Sequence, residues 1–116
     1  MVVYVKKLLV YLMDITIKKI GLDSLYVGAV GRLDLDNAVE YGSKIKNYIE
    51  DCDDTILNVT LDFSEITFIS SFGLKVILEL YKFLKTLEGS LKLRNVSEQL
   101  MNSFKMVGFD KFLIFE

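Results

Sequence analysis

Leu61-Asp62-Phe63-Ser64-Glu65-Ile66-Thr67-Phe68-Ile69-Ser70-Ser71-Phe72-Gly73-Leu74 joins an apolar strand pattern to a long helical one. Ser64-Glu65 supplies a polar turn. Phe68-Ile69 then leads into two serines, and a helix pattern starts at once. Ser70 and Ser71 therefore stand at a helix N-terminus, where free backbone N–H groups and the helix dipole favour negative charge. A serine there is either an N-cap or a place where a phosphate is electrostatically tolerated. For Ser71 the plain role is the cap, which stabilises by about 1 kcal/mol relative to alanine.

Working outward, Thr55 to Phe63 reads as a strand, with Leu57, Val59, Leu61 and Phe63 on one face. Residues 72–88 form the main helix. Val76, Ile77, Leu80, Phe83, Leu84 and Leu87 share one arc, extended by Leu74, Leu78 and Tyr81. That arc is wider than one surface helix needs. Either the helix is deeply packed, or Leu74, Leu78 and Tyr81 border an exposed patch that binds a partner.

Upstream, Asp14 to Ile20 and Leu25 to Val30 read as two strands around the turn Gly21-Leu22-Asp23-Ser24. A helix follows from about Asp36 to Asp51, with Asp34, Asp36 and Asn37 as candidate caps and Ala38, Tyr41, Ile45, Tyr48 and Ile49 on one face. Downstream, Gly89-Ser90 ends the main helix, and Leu91 to Leu93 is a short strand. Ser97 caps a helix carrying Leu100, Met101, Phe104 and Val107, and Phe112 to Phe115 is a last strand. The order is β-β-α-β-α-β-α-β, which predicts one α/β domain with a mixed sheet covered by helices.

The chain's 116 residues suffice for one core and are too few for two. With 52 % hydrophobic residues it needs no staple. A net charge of −2 leaves no electrostatic footprint for nucleic acid. The single cysteine, Cys52, excludes an intramolecular disulfide and suits a reducing compartment. Histidine is absent, so the commonest general base and any Ser-His-Asp set are excluded. The acidic residues Asp51, Asp53 and Asp54 lack the spacing of a calcium loop and read as a solvated helix-to-strand connection, with Cys52 a buried residue at the helix end.

These residues resemble the STAS family of bacterial anti-sigma-factor antagonists. Asp62, Ser64, Phe68, Ile69, Ser71, Gly73 and Leu74 match that family's phosphorylation-site pattern. Ser70 stands where the family usually has Asp, and Phe72 where it has Ser or Thr. Gly31-Arg32-Leu33-Asp34 with Ala38, the run Gly89 to Ser97, and Gly108 to Phe112 match three further elements. The likeness covers residues 13–116.

The resemblance implies a cytoplasmic anti-anti-sigma factor with no cofactor or metal of its own and no catalytic residue. It implies binding to a serine-kinase anti-sigma factor, with Ser71 as phospho-acceptor and release on phosphorylation. The expected partner face comprises Asp34, Ser70, Ser71, Phe72, Gly73, Leu74, Lys75 and Leu78. The altered Ser70 and Phe72 favour an alternative: a non-phosphorylated STAS adaptor subunit of a transporter or a stress-sensing complex. Neither reading involves direct contact with nucleic acid or insertion into a membrane, and neither sets an oligomeric state. Residues 1–12 (MVVYVKKLLVYL) are apolar around Lys6 and Lys7. They lack the charge order of a signal peptide and the length of a membrane span. They read as an extra element on the domain or as an upstream start.

Overall fold

The computed structural model describes the backbone of Val2–Val5 and Leu8–Tyr11 and the whole of residues 13–116. The first two segments form strands β1 (Val2–Val5) and β2 (Leu8–Tyr11), which pair antiparallel with each other. Lys6 and Lys7, between them, lie outside the described residues. The domain proper runs β3 (Asp14–Lys19), β4 (Ser24–Leu33), α1 (Leu35–Asp51), β5 (Asn58–Asp62), β6 (Ile66–Ile69), α2 (Ser71–Thr86), β7 (Ser90–Arg94), α3 (Glu98–Met106), a 3-10 turn (Phe109–Lys111) and β8 (Ile114–Phe115).

The expected order of strands and helices is present, with one strand more. Phe68-Ile69 belongs to the separate strand β6, and its reason is the length of β4. Ten residues long, β4 pairs with β5 along Ser24–Gly28 and then with β6 along Gly31–Leu33, a pairing broken by a bulge between Gly31 and Arg32. The chain leaves β5, turns at Ser64-Glu65, and rejoins the same edge of β4 further on. The sheet order is β3-β4-β5-β7-β8, with β3 antiparallel to β4 and the other pairs parallel.

Alternation decides which face is dry. Leu25, Val27 and Ala29 of β4, Val59 and Leu61 of β5, and Leu91 and Leu93 of β7 are buried. The strand register puts them on one side. Against them pack Ala38, Tyr41, Ile45 and Ile49 of α1, Ile77, Leu80 and Leu84 of α2, and Leu100 and Phe104 of α3. Tyr48, expected on the inner face of α1, is exposed. Its position in the helix is the edge of the apolar arc. Cys52 is half-buried at the C-cap of α1 rather than fully buried, and an ion pair between Lys19 and Asp54 ties the acidic connection to β3.

The wide apolar arc of α2 meets neighbours on both sides. Val76 approaches α1 at Gly42, and the Tyr81 ring lies 4.9 Å from that of Phe112. Leu74 and Leu78 are half-buried against the core.

Candidate functional site

The N-termini of α1 and α2 meet at the end of β4. Asp34 caps α1 through its side chain, which accepts the Asn37 N–H. Ser70 caps α2: its Oγ accepts the Gly73 N–H at 3.3 Å. The cap thus falls one residue earlier than the plain reading of Ser71. Ser71 becomes the first helical residue, exposed, its hydroxyl without a hydrogen-bond partner among the described residues.

Gly73 explains how the helix end comes so close to the sheet. A Cβ there would stand 2.7 Å from the Leu33 carbonyl oxygen and 2.6 Å from Ile69 Cγ1. Only glycine lets the first turn of α2 rest on β4 and β6.

The remaining expected site residues gather at this end with different exposures. Phe72 is 48 % exposed, and Lys75 is exposed beside it. Leu74 and Leu78 offer only part of their surface. Asp34 is half-buried, with Arg32 Nε 4.0 Å from its carboxylate. The Arg32 guanidinium also lies over the Phe68 ring at 4.2 Å, so β4 and β6 are joined by a side-chain stack as well as by their ladder.

Sequence reasoning noted Asp62 only as a pattern match, yet it organises the approach to this site. Its Oδ2 accepts from the Tyr26 hydroxyl at 2.5 Å. Its Oδ1 accepts from the Ser64 N–H at 3.0 Å and from Asn95 Nδ2 at 3.1 Å. Partial burial works against the charged form, but the hydrogen bonds from Tyr26, Ser64 and Asn95 outweigh it and lower the carboxyl pKa to about 2. One carboxylate thereby fastens β4, the turn into β6 and the loop after β7. The Asp-x-Ser spacing was the available signal, because a carboxylate two residues before an N–H is a turn-former.

Among the described residues no cluster of His, Cys, Asp or Glu could hold a metal, and no helix is long and apolar enough to cross a membrane. The site is one of exposed side chains and helix ends.

The fold recurs in solved proteins. An anti-sigma factor antagonist from Mycobacterium paratuberculosis superposes with a TM-score of 0.76 at 18 % identity, over 89 % of this chain and 84 % of that one. The Bacillus cell-fate determinant SpoIIAA in its phosphorylated form gives 0.69 at 17 % identity, over 89 % and 91 %. A sulfate transporter family protein from Wolinella succinogenes gives 0.69 at 18 %, over 84 % and 80 %. At such identities the likeness concerns the fold. The sequence profile of the STAS domain matches residues 15–116, and on that ground the chain belongs to the STAS domain family.

Proposed function

We propose that this protein is an anti-sigma factor antagonist that binds a serine-kinase anti-sigma factor and is released when Ser71 is phosphorylated. The observation that carries this reading is the division of labour between the two serines. Ser70 is occupied as cap, while Ser71 is exposed on the first turn of α2.

The chemistry follows from that placement. The Ser71 Oγ would attack the γ-phosphorus of the kinase's ATP, lose its proton, and release ADP. Phosphoserine adds roughly −1.5 to −2 charges. The N-terminal end of α2 tolerates them, and Lys75 stands one turn on. A partner surface closed over the same spot would hold that charge without a counter-ion, a costly arrangement. The unmodified protein binds through Asp34, Ser70, Ser71, Phe72, Gly73, Leu74, Lys75 and Leu78; the phosphorylated one lets go.

The test is intact mass and peptide mapping after incubation with a candidate anti-sigma kinase and ATP, beside calorimetric titration. Modification of Ser71, loss of affinity in Ser71→Asp and weaker binding of Lys75→Glu are expected. Unchanged affinity in both variants would place the interface elsewhere.

One observation favours a second reading, an adaptor that is never phosphorylated. Phe72 puts an exposed ring beside the acceptor where the family pattern has a small hydroxyl residue. Under that reading Ser71 stays unmodified while partner binding persists.

A further inference from the structure

Helices α1 and α2 run side by side from one end of the sheet and touch at Gly42 and Val76. A Cβ on Gly42 would lie 2.7 Å from Val76 Cγ1, so the Val76 side chain packs directly on the α1 backbone at the glycine. Around this crossing lies a cleft of about 300 Å³ whose walls include Val39, Lys46, Glu79 and Phe83. Towards the N-terminal end the apolar side chains stay in water: Leu35 is 50 % exposed, Val39 58 % and Phe72 48 %.

The charges on this face have a pattern. Arg32 and Asp34 are matched to each other, as are Lys44 and Glu40. Asp36 and Lys46 on α1, and Lys75 and Glu79 on α2, have no ion-pair partner among the described residues. Asp36 and Lys46 are centred on residue 41, and Lys75 and Glu79 on residue 77. The contact of Gly42 with Val76 puts those two centres at nearly the same height. One two-fold axis crossing the helix pair at that height therefore brings Asp36 level with Lys46 of a second copy and Lys75 level with Glu79, each pairing of opposite charges occurring twice. The Lys46 ammonium, now 5.2 Å from the centroid of the Phe83 ring, would swing out of the cleft to meet Asp36. The same operation brings Lys82 towards the Phe72 ring, a favourable cation–π pairing.

We infer that the α1–α2 face is a self-complementary surface on which a second copy of this chain docks antiparallel, about a two-fold axis at the Gly42–Val76 level. Such a contact is isologous and closes at the dimer. Its strength is bounded by its area. The 16 residues of α2 span about 24 Å, and a pair of helices is about 20 Å wide, giving about 500 Å² per copy. A standard interface buries about 800 Å² per partner. A contact of that size falls at the small end of the range, where association is weak and transient. Phe72 and Lys75 lie within the contact, so self-association excludes any partner that docks at the start of α2.

Sedimentation equilibrium of the full chain, from micromolar to millimolar concentration, tests this. The wild type should dimerise, less so at high salt. Asp36→Lys sets like charges opposite each other and should weaken the dimer about tenfold. Combining Asp36→Lys with Lys46→Asp restores opposite charges and should bring affinity back to within about twofold of wild type. Lys46→Asp alone repeats the weakening should Asp36→Lys fold poorly, and thermal melts monitor both. A monomer throughout the range, a dimer indifferent to the single reversals, or a double variant as weak as the singles would each overturn the inference.

Discussion

The Leu33 carbonyl oxygen receives two hydrogen bonds from Ser70, one from its N–H at 3.0 Å and one from its hydroxyl at 3.1 Å. The same hydroxyl accepts the Gly73 N–H. Ser70 is thus a rivet between the end of β4 and the start of α2, and the adjacent Ser71 is left over.

Replacing the two serines should separate these roles. Ser70→Ala loses the cap and a bond to a strand carbonyl, and should destabilise by about 1–2 kcal/mol. Ser71→Ala, at an exposed first-turn position, should stay within about 0.5 kcal/mol of wild type. Chemical denaturation of both variants measures the difference; equal losses would contradict the assignment of the cap.

Gly73→Ala should be among the most damaging small substitutions in the chain. The added methyl meets a backbone carbonyl at 2.7 Å, which cannot rotate away as a side chain can. A loss of about 2–3 kcal/mol is expected, read as a lower denaturation midpoint. A neutral effect would mean that α2 lifts from β4 without cost.

Tyr41 is fully buried and its hydroxyl has no hydrogen-bond partner among the described residues. Burial, with the Asp62 charge adding to it, pushes its pKa far above the ordinary tyrosine range. Tyr41→Phe removes an unsatisfied polar atom and should stabilise by about 1 kcal/mol. Destabilisation on that substitution would reveal a partner for the hydroxyl.

Asp62 carries a pH dependence. Its folded pKa, about 2, lies below the ordinary 3.8, so the folded state favours the charged form. The associated stability is fully present above about pH 4 and is lost as pH falls towards 2. Asp62→Asn should remove this acid-range slope and cost about 1–2 kcal/mol at neutral pH. Denaturation midpoints of both proteins across pH 2–7 check the sign; a variant keeping the wild-type slope would exclude Asp62 as its source.

A chain beginning at Met13 should keep a cooperative thermal transition, whereas one beginning at Ile15 should melt lower. Met13 is 4 % exposed within the core, and its N–H lies 3.2 Å from Glu40 Oε2. Loss of cooperativity on removing residues 1–12 alone would make the β1–β2 hairpin part of the fold.

Much of the molecule was legible in one dimension because it obeys short-range rules. The alternation of Leu25, Val27 and Ala29 marks a strand with one dry face. Ala38, Tyr41, Ile45 and Ile49 mark the inner side of a helix, and Ser97 announces the helix it caps. The run around Ser70 to Leu74 marked a helix N-terminus at two serines, since caps act within three or four residues, but gave the cap to Ser71 where the structure has Ser70. Other features depend on residues far apart in sequence. The strand β6 exists because β4 is long enough to pair twice. Ser70 takes the cap because the Leu33 carbonyl, 37 positions away, is within reach. Asp62 becomes a hub only when Tyr26 and Asn95 are folded against it, 36 and 33 positions away. Local preference identifies which elements form. Which serine is consumed by the fold and which is exposed follows from tertiary contacts, because hydrogen bonds between strands and helix ends depend on distances that only the packed sheet sets.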